Sequence, residues 1–361
     1  MAVARSSQEQ GEQMSRLGLW AAACCLTIAG VLGAAGTAAA QNVISSPTLD
    51  AVKQRGALAC GIDTGVPGYA FQDATGNWKG LDVSLCHAIA AAIFGDGNKV
   101  KFLPQTAQVR FQVLKSGEID VLIRDSEMTL LRAGQLGLME PAMNFYAGQS
   151  FLVRKSLGVQ HPKDLNGATI CMVSGTTLET NIANYNRANN IQIKTLLFNR
   201  FDEAIAAAEA GRCDGYTDDG GSCAAARSNM KHPSDWNILP ETIARQPMGP
   251  YTRQGDDRWT NIVAWTHYAM LEGEVLGITQ ANIDQVKATT KDPQVRLFLG
   301  LEGNLGKGLG LENDFAYQVI KAVGNYGEVY EAYFGSHGLG LARGLNNLYS
   351  NGGLMMPPSW Y

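Results

Sequence analysis

Four short segments of the chain carry side chains that could bind a small zwitterionic solute. Arg132 could hold a carboxylate through two parallel hydrogen bonds, and Asp219 could hold an ammonium group. Thr176 and Thr177 stand where a helix is predicted to begin, and the free N–H groups and dipole of a helix start favour an anion. An arginine and an aspartate that face each other across a cleft would suit a solute with a carboxylate and an amine.

The same residue types also have plainer explanations. Arginine and aspartate in loops are often solvated or paired with each other, and Gly-Thr-Thr is a common helix cap. The five histidines are scattered outside these segments, and the sequence contains no Cys-x-x-Cys pair. We therefore predict no catalytic residue, no metal site and no cofactor, which favours a binding protein over an enzyme.

Strand and helix patterns alternate in two successive units, and they place the four segments at strand ends. The predicted strands are Leu58–Ile62, 100–103, 119–123, 149–154, Thr169–Val173, 193–198 and 213–217. The predicted helices between them are Leu81–Phe94, 109–116, Leu178–Asn189 and 201–210. A long helix over 259–276, two further helices and an irregular glycine-rich stretch at 300–310 complete the prediction.

This order implies an α/β protein with parallel strands and helices on the sheet faces. Ligands bind beyond the carboxyl ends of strands in open sheets of this kind. The segments 63–69 and 124–132 belong to the first unit, and 174–177 and 218–221 belong to the second. The cleft between the two units is therefore the expected site.

The first 40 residues are predicted to be a cleavable secretory signal. Arg5 and Arg16 precede an apolar run over 17–35, and cleavage is expected after Ala40 because small alanines occupy 38–40. A membrane anchor is disfavoured because the run is rich in alanine and glycine. A lipoprotein is disfavoured because Cys24 and Cys25 come too early. The mature protein is thus expected to work outside the cytoplasm.

The net charge and the cysteine content further limit the class of protein. The net charge is −4, which gives no sign of a nucleic-acid partner or an anionic membrane surface. Five cysteines follow the predicted leader, and disulfides are favoured in an oxidising compartment. Pairing of Cys60 with Cys86 and of Cys171 with Cys213 is one hypothesis, since each pair would link elements of one domain. Buried, reduced cysteines are the alternative.

With these features in view, the sequence resembles the periplasmic substrate-binding proteins of polar amino-acid ABC importers, most closely the general L-amino-acid subgroup. The matching motifs are Gly-Val-Pro-Gly-Tyr at 65–69, Gly-Leu-Asp-Val at 80–83, Ser-Gly-Thr-Thr at 174–177, Gly-Arg-Cys-Asp at 211–214 and Lys-Ala-Val-Gly-Asn-Tyr-Gly at 321–327. Each motif is weakly specific, whereas their number, order and spacing together are highly specific.

The resemblance implies a type II periplasmic-binding-protein fold, with two α/β lobes joined by hinge strands and a helical C-terminal extension. Lobe one would comprise 41–150 plus 250–361, and lobe two would comprise 151–249 with the hinge strands. The cleft would close on a small-molecule ligand, an amino acid. The resemblance further implies a periplasmic monomer that delivers its ligand to the membrane permease of an ABC importer.

The resemblance also implies roles for particular residues. The α-carboxylate of a bound amino acid is assigned to Arg132, Thr129, Thr176 and Thr177. The α-amino group is assigned to Asp219. The side-chain pocket is assigned to the 63–69 loop, including Asp63 and Tyr69.

One loop departs from the family pattern. Close relatives usually read Ser-Arg-Asn-Thr-Thr-Trp-Thr, whereas residues 123–129 read Ile-Arg-Asp-Ser-Glu-Met-Thr, so that Asp125 replaces an amide and Glu127 replaces a hydroxyl. A carboxylate beside a bound carboxylate costs affinity unless it is protonated or paired. Either Glu127 turns aside to Arg124, or the ligand range is shifted towards cationic or non-standard compounds.

Two alternatives to amino-acid import remain open on the sequence. One is a periplasmic enzyme on the same fold, such as a cyclohexadienyl dehydratase, in which Glu127 would serve as a general acid. The other is an orphan sensory binding protein with a non-standard ligand. The scattered histidines disfavour the enzyme.

Overall fold

The computed structural model describes residues 45–361, and the predicted leader at 1–40 lies outside the described residues. The first part of the chain folds around a parallel sheet of three strands in the order β4-β1-β5. This arrangement confirms the predicted strand–helix–strand order. The elements of this part are α1 (Pro47–Arg55), β1 (Leu58–Ile62), β2 (Phe71–Gln72), β3 (Trp78–Lys79), α2 (Leu81–Phe94), β4 (Val100–Pro104), α3 (Arg110–Ser116), β5 (Val121–Leu122), α4 (Leu130–Gln135) and β6 (Leu138–Met139).

Burial on both faces explains the composition of this first sheet. All five residues of β1 are buried, as expected for a parallel strand covered by helices on either side. The alanine-rich α2 is buried over most of its circumference and ends at Gly95, which adopts the left-handed conformation. Gly80, just before α2, has no room for a side chain because a Cβ would lie 2.0 Å from the Tyr69 carbonyl oxygen. The 63–69 loop is therefore held close to the start of α2.

The second part of the chain forms a sheet of six strands. Its elements are β7 (Phe145–Arg154), β8 (Thr169–Val173), α5 (Leu178–Asn189), β9 (Lys194–Phe198), α6 (Phe201–Glu209), β10 (Gly215–Asp219), α7 (Gly220–Asn229), β11 (Trp236–Ile238) and β12 (Ala244–Met248). β8 lies parallel to β9 and β10, whereas β7 is antiparallel to β10, β11 and β12. The sheet is thus mixed, because β7 enters it from the other part of the chain without a crossover helix.

The pair β7 and β12 is the place where the chain enters and leaves the second sheet. Its register runs from Gln149 opposite Ala244 to Phe145 opposite Met248. Beyond Gln149, β7 continues into the sheet beside β10 and β11. Two antiparallel strands therefore connect the second sheet to the rest of the fold.

The remaining chain adds helices to the first part. These elements are β13 (Thr252–Arg253), α8 (Asp257–Val275), α9 (Ile283–Thr289), α10 (Pro293–Phe298), α11 (Leu305–Leu309), α12 (Phe315–Val323) and α13 (Tyr326–Tyr333). Helices α8 and α12 pack against α2, so this region completes the core of the first part. The prediction of two further helices after α8 was too low, and 300–310 is not wholly irregular. Asn313 organises this stretch, because its amide donates to the carbonyls of Gly300 and Gly303.

Short 3₁₀ helices occupy Lys155–Leu157, Pro162–Leu165, Pro233–Asp235, Gly344–Asn346 and Tyr349–Asn351. Within residues 45–361, no helix has the length and apolar character that a membrane span requires.

Two disulfides stabilise the two parts separately. Cys60–Cys86 joins β1 to α2, with Cα atoms 6.2 Å apart. Cys171–Cys213 joins β8 to the residues that precede β10, with Cα atoms 5.6 Å apart. The hypothesised pairing is confirmed, and the alternative of reduced cysteines is wrong for these four. Cys223 is buried and unpaired among the described cysteines.

Removal of the second disulfide should reduce stability without changing the fold. The double variant Cys171→Ala/Cys213→Ala should lose roughly 2–4 kcal/mol of unfolding free energy, because the bond closes a long loop in the unfolded chain. Urea denaturation of the protein measures this loss. Cys223→Ala is the matched control, since it removes a buried sulfur without a cross-link. Equal stability of the double variant and the wild type would contradict the prediction.

Candidate functional site

A small closed cavity lies where the carboxyl ends of strands from both sheets meet. Its volume is about 40 Å³, which leaves room for a few water molecules at most. The residues that line it are Asp63, Val66, Arg110, Arg124, Asp125, Glu127, Arg132, Val173, Thr176, Thr177, Leu178, Phe201, Asp218, Gln246 and Met248. A larger groove of about 680 Å³ lies beside α2 and α12, but it gathers no residue from the second sheet. The expected position between the two units therefore coincides with a strongly charged cavity.

Hydrogen bonds between the two parts close the cavity. The Thr177 hydroxyl, at the start of α5, donates to Glu127 Oε2 at 2.5 Å. The Tyr69 hydroxyl donates to Asp219 Oδ1 at 2.7 Å. Both bonds join the first part of the chain to the second.

An arginine–carboxylate cluster forms one wall of the cavity. Arg124 Nη2 lies 2.5 Å from Asp63 Oδ2, and Arg124 Nη1 lies 3.1 Å from Asp125 Oδ1. Its Nε donates to the carbonyl of Gln105 at 3.0 Å. Asp125 adopts a φ of 31°, and its N–H donates to Asp82 Oδ2 at 2.8 Å. A left-handed backbone at a non-glycine residue is unusual, and the bond to Asp82 supports it here.

Burial raises the pKa of several carboxyl groups in and beside this cluster. It raises the pKa of Asp82 to about 8 and the pKa of Asp125 to about 7. The pKa of Asp218 is also raised, first by burial and then by the neighbouring Asp219. Asp125 and Asp218 line the cavity, whereas Asp82 lies outside the lining. An incoming cation would favour the ionised form of the two lining carboxyl groups.

Arg132 is fixed at the opposite wall. Thr129 caps α4, its hydroxyl oxygen accepting from the Arg132 N–H at 3.2 Å. The Arg132 guanidinium donates to the main-chain carbonyl of Glu127 and lies 4.7 Å from the centre of the Phe111 ring. The Tyr251 hydroxyl donates to the same carbonyl at 2.5 Å. Both the loop and the guanidinium are thus held in place before any ligand arrives.

Asp219 and Tyr69 lie behind the cavity and do not line it. Asp219 is fully buried and caps α7, because Oδ1 accepts from the N–H groups of Gly221 and Ser222. Its Oδ2 is buried without a hydrogen-bond partner among the described residues. The neighbouring Asp218 lines the cavity instead, and its carboxylate accepts from a tyrosine hydroxyl on β10. One aspartate of the pair thus faces the cavity, and the other supports the helix that follows.

The structure brings together five of the eight predicted site residues at the cavity wall, namely Asp63, Glu127, Arg132, Thr176 and Thr177. Arg110 and Gln246 also line the cavity, although the sequence pattern predicted no role for them. Arg110 is almost fully buried, and its Nη1 donates to the Gly175 carbonyl across the cleft at 3.2 Å. Its place shortly after β4, at the same sheet edge as the other segments, was the available signal. Glu127 does not turn to Arg124, which is already paired with two aspartates.

Two sheets joined by a strand pair, with a charged cavity closed between them, are characteristic of an extracytoplasmic solute-binding protein. Residues 58–336 match the model of the bacterial extracellular solute-binding proteins, family 3. The chain therefore belongs to this family.

Named relatives and a solved structure agree with this assignment. The chain is 48% identical to the glutamate/glutamine/aspartate/asparagine-binding protein BztA of Rhodobacter capsulatus, over 87% of this chain and 93% of the relative. It is 46% identical to the general L-amino acid-binding periplasmic protein AapJ of Rhizobium johnstonii, over 92% and 98%. A periplasmic binding protein from Brucella ovis with glutathione bound is 43% identical, with a TM-score of 0.85 over 88% of this chain and 100% of that chain. The two-lobed fold implied by the resemblance is thereby confirmed.

The buried Asp82 should make stability depend on pH in a defined direction. Its pKa in the folded protein is about 8, above the ordinary value, so its stabilising contribution is complete at low pH and is lost as pH rises. Between pH 4 and pH 8, the wild type should lose unfolding free energy relative to Asp82→Asn, by at most about 1.4 kcal/mol per pH unit.

Urea denaturation at several pH values measures this difference. Asp50→Asn, on the exposed side of α1, is the matched control and should follow the wild type at every pH. A constant difference between Asp82→Asn and the wild type across the range would contradict the prediction.

Proposed function

We propose that the protein captures an amino acid, or a small solute built on one, between its two lobes and delivers it to an ABC-type permease. The observation that carries this proposal is the small cavity between the two parts, which is lined by guanidinium, hydroxyl and carboxyl groups. The names of BztA and AapJ support an amino-acid-like solute. The bound glutathione in the Brucella ovis protein supports capture of an amino-acid derivative by this fold.

In this proposal the two walls have different tasks. Arg132, Thr176 and Thr177 form an anion-binding wall, positioned in part by Thr129. Asp218 faces the ammonium group, and Asp219 supports that wall from behind. The 63–69 loop contributes Asp63 to the cavity and positions the buried Tyr69 against the second lobe.

The lobes are proposed to be 41–150 plus 250–361 and 151–249, as the sequence analysis expected. Opening would then bend β7 and β12, because this pair connects the second sheet to the rest of the fold. The mature protein is proposed to be a periplasmic monomer, released by cleavage after Ala40.

The proposed role is non-catalytic. The relatives named above are binding proteins, and among residues 45–361 no histidine lines the cavity. His267 is fully enclosed in the first part, where burial lowers its pKa to about 4. A general base that works near neutral pH would need a position in which burial lowers its pKa less.

Asp218→Asn should weaken ligand binding while the fold remains intact. The substitution removes a carboxylate from the cavity wall, and we expect an affinity loss of about 10-fold to 100-fold, as for a buried charge-assisted hydrogen bond. A thermal-shift screen of the exported protein against amino acids, amines and short peptides identifies a ligand, since binding to the folded state raises the melting temperature. Isothermal titration then measures the affinity of both proteins.

The matched control is Asp202→Asn, an exposed aspartate at the start of α6 that pairs with Arg200 on the surface. It removes the same charge from the same lobe and should leave the affinity unchanged. If no compound in the screen raises the melting temperature, the proposal of amino-acid-like capture is overturned.

A further inference from the structure

The side chain of Glu127 occupies the anion-binding wall of the cavity. It belongs to the first lobe, and its Oε2 accepts from the Thr177 hydroxyl of the second lobe at 2.5 Å. Thr177 immediately precedes α5, a helix of 12 residues, so the carboxylate stands at the positive end of the helix dipole. The protein itself thus places a carboxylate where a helix start favours one.

Arg132 faces the same group. It donates to the main-chain carbonyl of Glu127. Burial raises the pKa of the Glu127 carboxyl, and the Thr177 hydroxyl and the Arg132 charge oppose that shift. Tyr251 holds that carbonyl as well, and the main chain of Glu127 bridges Met248 of β12. Because the main chain is fixed from two sides, the carboxylate could leave only by a side-chain rotation that gives up Thr177.

A ligand carboxylate on this wall would have to compete with Glu127. The Thr177 hydroxyl and the start of α5 already face the Glu127 carboxyl group. A ligand carboxylate placed here would also meet a like charge at short range, which weakens binding.

A cationic occupant would favour the ionised form of the carboxyl groups in the lining. The lining contains four carboxyl groups and three guanidinium groups, which leaves one negative charge when all are ionised. Arg124 is taken up by Asp63 and Asp125, so it offers little to a ligand anion. Asp218 carries no arginine partner among the described ion pairs and faces the cavity.

We infer that the protein selects solutes that carry a cationic amine and lack the carboxylate of a free amino acid, because Glu127 supplies that carboxylate from the protein. This inference rests on the proposed capture of an amino-acid-like solute between the lobes and names the chemical class of that solute. Decarboxylated basic amino acids belong to this class, since each differs from its parent only by the missing carboxylate.

Matched pairs of compounds test the inference directly. Arginine is compared with agmatine and ornithine with putrescine, by isothermal titration into the exported protein. We expect each amine to bind the wild type about 100-fold more tightly than its parent amino acid. In Glu127→Thr, which opens the wall and adds a hydroxyl, the preference should shift by about 100-fold or more towards the parent amino acid.

Glu127→Gln separates charge from size. It keeps the bulk of the side chain but loses the charge, so it should weaken binding of the amines without restoring tight binding of the amino acids. Glu118→Gln, an exposed glutamate after α3, removes one negative charge far from the cavity lining and should behave as the wild type.

Two results would overturn the inference, and they differ in what they leave standing. If the wild type binds the free amino acids more tightly than the amines, Glu127 moves aside for the ligand, and capture between the lobes is retained. If neither these four compounds nor any other amino acid or amine binds, the proposed function fails together with the inference. An unchanged amine preference in Glu127→Thr, with folding verified by circular dichroism, would also contradict the assigned role of Glu127.

Discussion

The balance of charges buried between the two lobes is the constraint on which the rest of the structure depends. Arg124 is inserted between Asp63 and Asp125 at the ends of the first-sheet strands, with little exposure to solvent. An uncompensated charge in such a place would be strongly destabilising, so the partners must be positioned precisely. Asp63 directly follows β1, and Asp125 comes shortly after β5, where Asp82 in the first turn of α2 accepts from its N–H. The local folding rules of the first lobe thus converge on a single electrostatic requirement.

The second lobe meets this cluster with hydroxyl groups, a helix start and further carboxyl groups. Thr177 and Tyr69 form two of the hydrogen bonds that cross between the lobes, and both involve carboxylate acceptors. Hydrogen bonds to charged groups are stronger than those between neutral groups, so a few of them can hold the closed arrangement. Because closure depends on such contacts, a solute that changes the charge of the cavity also changes the balance between open and closed forms.

The sequence predicted the regular core more accurately than the site. The bounds of β1, α2, β8 and α5 agree to the residue, because each is a buried or amphipathic run ended by glycine or a turn. The C-terminal helices were underestimated, since short helices separated by glycines have weak periodicity. Asp218 and Asp219 are adjacent on β10, and alternation sends only one of them to the cavity. Which one faces it depends on where α7 begins and on Tyr69, which is distant in sequence, so the pattern alone could not decide.

The two disulfides have a mechanical consequence. Each of them links elements within one sheet's part of the chain, and neither crosses the β7–β12 connection. The disulfides therefore stiffen the two halves separately and place no cross-link across the β7–β12 connection. The entropy lost on ligand capture is then concentrated in the β7–β12 connection and in the side chains at the cavity, since the two halves are already stiffened. A membrane partner that contacts both halves would sense the angle between them, and that angle would be the same for every solute that allows full closure.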